Sequence, residues 1–393
     1  MIDSVTLRVD DYILYSTEHF TKAKHQELSG KFGVFGVYTT RFTTYAKKCA
    51  NEGRYYPQVH IMERQTRTKQ GMKPKSKYLV IQVSLPKLLF GTNIFDIDER
   101  MLPLVYEKLI ATLKEIQVEV TLEALKQAVV TRLDYSKILQ ISASYGSTDK
   151  ILRALAPYDM KQSSDYNRSH YHDGKDGFYV KYYNSSQGLV IYNKFDEIVA
   201  NGKTQLEQEI GSMYKRGQWK KGALRIELSL QKKQTVEAIV RKHIKNKRKD
   251  YTLSDVHNAK IAKAELLRTY EKVFVTDFSR LVRLSALKDT ELTQIIEQYA
   301  HGFKERAVLY YLAHEVRKHG LKNTITGLKT EASAATIGRY KKSIESILSK
   351  TEAKQDNVNV VNYIHKKLKT FTPILPKKLD ALLGEFADSR KNM

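Results

Sequence analysis

Two β-rich runs joined by a polar turn constrain this chain more than any other stretch. They read Phe-Tyr-Val-Lys-Tyr-Tyr from Phe178, then Asn-Ser-Ser-Gln-Gly, then Leu-Val-Ile-Tyr-Asn-Lys-Phe-Asp-Glu up to Glu197. Aromatic and β-branched residues suit a pleated surface, and Asn184 and Gly188 supply turn chemistry, so the stretch reads as a hairpin. The second run is apolar on both faces until Tyr192, which predicts a central strand. Side chains alternate along a strand, so Tyr192 and Lys194 share one face and Asn193 takes the other. A phenol ionises at a pH of about 10, and a nearby cation raises the small ionised fraction at neutrality. That pairing suits a nucleophile, while packing for Tyr192 and a solvated strand end for Lys194 is the plainer alternative.

Two other strands repeat one polar face: Arg132-x-Asp134-x-Ser136 within Ala128 to Ile138, and Arg225-x-Glu227-x-Ser229 within Leu224 to Leu230. If they are neighbours, Asp134 and Glu227 converge with an arginine beside each. Such a cluster holds a divalent metal through hard oxygen ligands, while Arg132 and Arg225 hold a phosphate. Otherwise the four residues are surface ion pairs worth under about 1 kcal/mol each. A third strand with Tyr192 and Lys194 supplies the remaining parts of a phosphodiester transesterification. His60 and Glu63, on a strand from Gln58 to Arg64, offer a third ligand. His170-Tyr-His172 has metal-ligand spacing but sits in a polar, loop-like segment.

The 393 residues carry a formal charge of +24 with 25 tyrosines, which points to a folded protein with a polyanionic partner, most simply nucleic acid. Arg67, Lys69, Lys73 and Lys75 crowd the tip of an expected hairpin. Arg241, Lys242, Lys245, Lys247, Arg248 and Lys249 form a second basic run. Both are expected to contact phosphates, and both also suit a solvated surface. No run approaches the roughly 20 apolar residues of a membrane span, and the start lacks a signal-peptide pattern. A cytoplasmic protein without membrane contact is expected. The single cysteine, Cys49, excludes an intrachain disulfide and a cysteine-rich metal site.

Helical spacing runs from Asp98 to about Ile116, from Ser147 to near Pro157 and from Asp196 to about Lys215, and it dominates beyond residue 231. The expected fold is therefore α+β: an N-terminal endonuclease domain, residues 1–235, with a mainly antiparallel sheet and flanking helices, then an all-α domain, residues 236–393. Residues 306–346 fit a helix-turn-helix whose second helix presents Arg339 and Lys341 to a DNA groove.

Four stretches carry a family resemblance: Ser84-Leu-Pro-Lys-Leu-Leu-Phe-Gly-Thr-Asn-Ile-Phe95, Thr131-Arg-Leu-Asp134, Leu189-Val-Ile-Tyr-Asn-Lys194 and Leu224-Arg-Ile-Glu227. In this order, across about residues 1–230, they resemble the gene II replication initiators of filamentous bacteriophages and, more distantly, rolling-circle plasmid initiators. The resemblance implies a nickase and ligase that cuts one strand at a double-strand origin, stays joined to the 5′ phosphate through a tyrosine, leaves a 3′ hydroxyl as primer and later closes the displaced circle. It implies Tyr192 as nucleophile, Asp134 and Glu227 as the acidic positions, and Mg²⁺ or Mn²⁺ as cofactor. Double- and single-stranded origin DNA are the implied partners, with a host helicase and polymerase. Plasmid initiators carry the nucleophile on the first strand of the hairpin, which would be Tyr179. Two other readings stand beside this one: a non-enzymatic basic DNA-binding regulator, and a tyrosine recombinase built on His314-Glu-Val-Arg317 and Tyr340. The recombinase reading lacks a recognisable upstream arginine motif.

Overall fold

The computed structural model describes residues 1–22, 26–29, 36–44, 53–68, 71–72, 76–141, 147–155, 168–174, 177–218, 222–245, 248–275, 289–300, 302–319, 324, 327–328, 332–350 and 356–376. In chain order its strands are β1 (Ile2–Val9), β2 (Ile13–Leu14), β3 (Phe20–Lys22), β4 (Gln26–Ser29), β5 (Gly36–Thr44), β6 (Gln58–Thr68), β7 (Gly71–Met72), β8 (Ser76–Ser84), β9 (Val118–Glu119), β10 (Val129–Ile141), β11 (Arg168–Gly174), β12 (Gly177–Tyr183), β13 (Gln187–Asn193) and β14 (Gly222–Leu230). Twelve of them form one antiparallel sheet, in the order β11-β12-β13-β14-β10-β1-β8-β6-β5-β3, with β4 on β5 and β7 on β6. β2 and β9 make a separate ribbon.

The two faces of this sheet differ because its strands alternate. Val5, Leu7, Val83, Leu133, Tyr135, Ile191, Ile226 and Leu228 are buried in one apolar core. Helices Lys233–Val240, Ala259–Tyr270 and Asp356–Thr370 pack against strands of the central sheet. The opposite face carries Ser4, Asp134, Ser136, Tyr192 and Glu227 in cross-strand register. An antiparallel sheet with one packed face and one polar face is the expected outcome of such alternation.

Local chemistry sets the elements around the polar face. The expected hairpin is β12 and β13. Asn184 closes its turn by accepting, at Oδ1, the backbone N–H of Ser186 at 2.7 Å and of Gln187 at 2.8 Å, the usual work of an asparagine in a turn. Gly188 lies inside β13 instead of in the turn. Asn193 ends the strand by capping helix Lys194–Asn201, its side chain accepting the Phe195 N–H at 3.1 Å. Lys194 is thus the first residue of a helix, not the strand residue that alternation predicts. The apolar stretch after Ser84 forms helix Leu85–Phe90, with Pro86 in its first turn and Gly91 at a φ of 70° closing it. His170 and His172 lie on β11, where a loop is expected.

Beyond β14 the named elements are helices, in keeping with the α+β expectation. The apolar cluster of the sheet also takes in residues beyond 235. Tyr251, Leu266, Tyr270, Phe274, Val361, Ile364, Leu368 and Phe371 belong to the same apolar cluster as the sheet. Lys137 on β10 donates to Asp96 at 2.8 Å and to the Thr372 carbonyl at 2.5 Å, and the Ile374 N–H donates to the same Asp96 carboxylate at 2.9 Å. A separate small core holds Leu292, Ile296, Leu309 and Leu312, with Tyr340 against it. It joins helices Asp289–Tyr299, Phe303–His319 and Ala334–Lys350, the last two being the helices expected for a helix-turn-helix. No helix among the described residues is long and apolar enough to cross a membrane.

Leu266→Ala tests this continuity. Removing a fully buried leucine from helix Ala259–Tyr270 costs about 2–5 kcal/mol and, with one shared core, should lower hydrogen-exchange protection of the β10 and β14 amides. Unchanged protection there would restore a boundary near residue 235.

Candidate active site

Register brings the sequence-predicted residues together. On the pair β10–β14, Asp134 stands opposite Ser229 and Ser136 opposite Glu227, so the two carboxylates are diagonal neighbours on one face, a Cα separation of roughly 7–8 Å. On β13–β14, Tyr192 stands opposite Arg225, and on β12–β13 it stands opposite Tyr179. The Tyr192 hydroxyl donates to Glu227 Oε2 at 3.4 Å.

Arg225 lies at the centre of this group and is 1% exposed. Its Nη1 donates to the Asn93 carbonyl at 2.7 Å, and its Nη2 donates to Ser136 Oγ at 2.9 Å and pairs with Asp3 Oδ1 at 2.7 Å. Its Nε lies 3.3 Å from Glu227 Oε2. The phosphate contact expected of Arg225 is therefore corrected: its guanidinium has no surface to offer DNA. Asp3 also accepts from Asn93 Nδ2 at 3.1 Å and from the Ser84 hydroxyl at 3.5 Å.

The electrostatics follow from burial. Glu227 is pushed up to about 7 by desolvation, opposed by Arg225 and reinforced by the charges of Asp3 and Asp134. Asp134 is raised by burial, against the Ser229 and Ser4 hydroxyls and Arg132. Burial acts on Asp3 in the same sense, but Arg225, Lys194 and Asn93 outweigh it and leave that carboxyl below its usual range. Burial holds the Tyr192 phenol well above its ordinary value, with Arg225 pulling down and Glu227 pushing up. Lys194 is buried too; desolvation lowers it, and its ammonium pairs with Glu197 and lies 6.0 Å from the Tyr192 ring centroid. The group at the Tyr192 hydroxyl is accordingly a carboxylate, where sequence alternation predicts an ammonium.

The fit to a divalent ion rests on the two carboxylates. Mg²⁺ is commonly bound by one or two carboxylates and keeps several waters. Asp134 Oδ1 is buried without a hydrogen-bond partner, and the burial that raises Asp134 and Glu227, reinforced by repulsion from neighbouring carboxylates, is what a cation would offset. No group of three or more His, Cys, Asp or Glu residues suited to a metal occurs among the described residues. His60 and Glu63 are not brought to the pair: β6 lies three strands from β10, roughly 14 Å across the sheet. Three residues apart on one strand, they also face opposite sides, and Glu63 pairs with Lys77 at 3.1 Å. His172 stands opposite Tyr179, and His170 opposite Lys181, at the edge of the sheet.

Among the basic residues, Arg132 is 42% exposed at its side chain and 3.8 Å from Asp134. Arg241, Lys242, Lys245, Arg248, Lys249 and Arg339 are exposed. Lys69, Lys73, Lys75 and Lys247 lie outside the described residues, as do the side chains of Arg67 and Lys341. Sequence reasoning missed Asp3 and Asn93. Asn93 falls in the stretch Ser84 to Phe95 that carries the resemblance, whereas Asp3 has no signal in spacing or composition.

A family model for the N-terminal part of the replication-associated protein of gene II type matches residues 1–250, a span that includes the central sheet and every residue of the site. The chain belongs to this family. Membership places it among the replication-associated initiators of phages. No curated protein and no solved structure matches the chain.

Glu227 makes the pH dependence of stability predictable. Its carboxyl titrates near 4.5 when unfolded and near 7 when folded, so the folded state binds more protons between those values and stability falls as pH rises through them. Glu227→Gln carries no such charge. In EDTA, its Tm minus that of the parent should climb from about pH 5 to about pH 7 and then level off. A flat difference would make Glu227 an ordinary carboxylate.

Proposed function

We propose that this protein nicks one strand of a double-strand replication origin with the Tyr192 phenol, remains joined to the 5′ phosphate, and later religates the displaced strand. The observation that carries this reading is the Tyr192 hydroxyl on the Glu227 carboxylate, beside Asp134, in a chain of the replication-associated family. The phenolic proton passes to the Glu227 carboxylate, the group that accepts the Tyr192 hydroxyl. The phenolic oxygen bonds to phosphorus, the P–O3′ bond breaks, and the departing oxygen takes a proton to become the free 3′ hydroxyl. Asp134 and Glu227 would hold Mg²⁺ or Mn²⁺, which when bound supplies Lewis-acid stabilisation of charge on the phosphate. Catalytic hydrogen bonds are often long before substrate binds, which accommodates the 3.4 Å contact.

Tyr179 stands directly opposite Tyr192, so a second phenol is at hand for the further strand transfer that circle closure needs. The polar face of the sheet is the proposed seat of the single strand. Arg8 lies over Tyr78 at 4.5 Å and Lys181 over Tyr183 at 5.0 Å, the aromatic and cationic pairing that bases and phosphates of single strands use. The exposed side chains of Arg241, Lys242, Lys245, Arg248 and Lys249, and helix Ala334–Lys350 with Arg339, are assigned to duplex DNA. A host helicase and polymerase then act from the 3′ hydroxyl in the host cytoplasm.

The test is incubation with Mg²⁺ and a supercoiled plasmid carrying the origin of the parent replicon. Tyr192→Phe should still bind DNA but form no 5′ phosphotyrosine adduct, whereas Tyr179→Phe should form the adduct and fail only at circle closure. Normal nicking by Tyr192→Phe with an inert Tyr179→Phe would move the nucleophile to Tyr179, and a parent protein that shifts the plasmid without relaxing it would be a regulator. Neutralising Arg241, Lys242 and Lys245 should flatten the salt dependence of binding by about one unit of slope per lost contact. An unaltered slope would make them solvated surface.

A further inference from the structure

We propose that Asp3 and Arg225 are positioning residues for strand transfer: Asp3 fixes the guanidinium, and the guanidinium fixes the Glu227 carboxylate against the Tyr192 hydroxyl. This rests on the reading of Tyr192 as nucleophile, and it gives Arg225 a role that requires no contact with DNA.

The guanidinium is held from three parts of the chain. Nη1 is bound by the Asn93 carbonyl after helix Leu85–Phe90, and Nη2 by Ser136 on β10 and Asp3 on β1. A planar fork held at both terminal nitrogens cannot swing, which a single ammonium would do. What remains is Nε, which makes no hydrogen bond and stands at ion-pair distance, 3.3 Å, from Glu227 Oε2. That oxygen is the one that accepts the Tyr192 hydroxyl. The contacts therefore run in series, Asp3 to Arg225 to Glu227 to Tyr192. A nucleophile with its base, and a third group that orients the base, is the general logic of an activated nucleophile. Asp3 is oriented in turn by Asn93 Nδ2 and the Ser84 hydroxyl. Because Arg225 is buried, it acts on its neighbours Glu227 and Tyr192 and not on DNA. A displacement of about 1 Å at reacting groups can cost a hundredfold in rate, so loosening Arg225 should slow the reaction and spare DNA binding, which surface residues provide.

The experiment uses the full chain, the supercoiled origin plasmid and Mg²⁺, with covalent adduct followed in single turnover. Asp3→Asn and Arg225→Lys should lower the rate constant by roughly ten- to a hundredfold, with adduct amplitude and half-saturating DNA concentration unchanged. Asp3→Glu, which keeps the charge, should recover part of the rate. A reduced amplitude at normal rate would make the pair merely structural, and a raised half-saturation would make Arg225 a DNA contact; either result overturns the proposal. Ser136→Ala removes one acceptor without stranding a buried charge, and keeps the test decisive if the charge variants unfold: a loss of about threefold in rate supports the proposal, and a parental rate sinks it. Adduct formation by Tyr192→Phe would instead overturn the nucleophile. An inert Tyr192→Phe beside fully active Asp3 variants would overturn the positioning alone.

Discussion

A guanidinium buried in the middle of a sheet sets the terms for everything around it. Removing Arg225 from water is costly unless opposite charge and hydrogen-bond acceptors accompany it, and the fold provides them from β1, from β10 and from the loop behind helix Leu85–Phe90. The requirement reaches outward. β1 must sit between β10 and β8 for Asp3 to arrive, and Gly91 must turn the chain after the short helix for the Asn93 carbonyl to arrive. Breaking such a pair from one side leaves an uncompensated charge, which typically costs about 3–5 kcal/mol. Site and scaffold are therefore stabilised by the same contacts.

The charge balance near Arg225 also explains the unusual acidities. Asp3, Asp134 and Glu227 are close enough to influence one another, and Arg225 does not quench them equally. Asp3 has the shortest ion pair with the guanidinium and stays ionised. Glu227 is farther from it and is left near neutrality in its titration. One cation thus separates the behaviour of two carboxyls, a common way for a protein to divide roles between like groups.

Much of this was legible in the sequence, for a physical reason. Period-two alternation fixes which residues share a face, so the common face of Asp134, Glu227 and Tyr192 followed from their strands alone, once β13, β14 and β10 proved to be neighbours. What alternation cannot supply is a partner from a distant segment. Asp3 meets Arg225 through two pairings, β1 with β10 and β10 with β14, each between residues far apart in the chain, and no local pattern encodes that. Lys194 was misplaced because apolar residues run to the end of β13, although Asn193, with an acidic residue three positions on, carries a helix-start signal that competes with the strand. His170 and His172 read as loop because β11 lies at the sheet edge, where pairing with β12, not hydrophobic pattern, makes the strand. The core extends past residue 235 because helices 259–270 and 356–370 bury their apolar faces on the sheet, a choice that helical periodicity leaves open.

The strap at Lys137 has a consequence in time. β1 is made well before Val361 to Phe371 and pairs with β10, while those later residues and the contacts of Thr372 and Ile374 close the same core. Synthesis proceeds at about 5–20 residues per second. The strand that bears Asp3 therefore exists long before the segment that seals the helices over its far face. During that interval the growing chain exposes part of an apolar face, and residues 361–374 decide when that exposure ends.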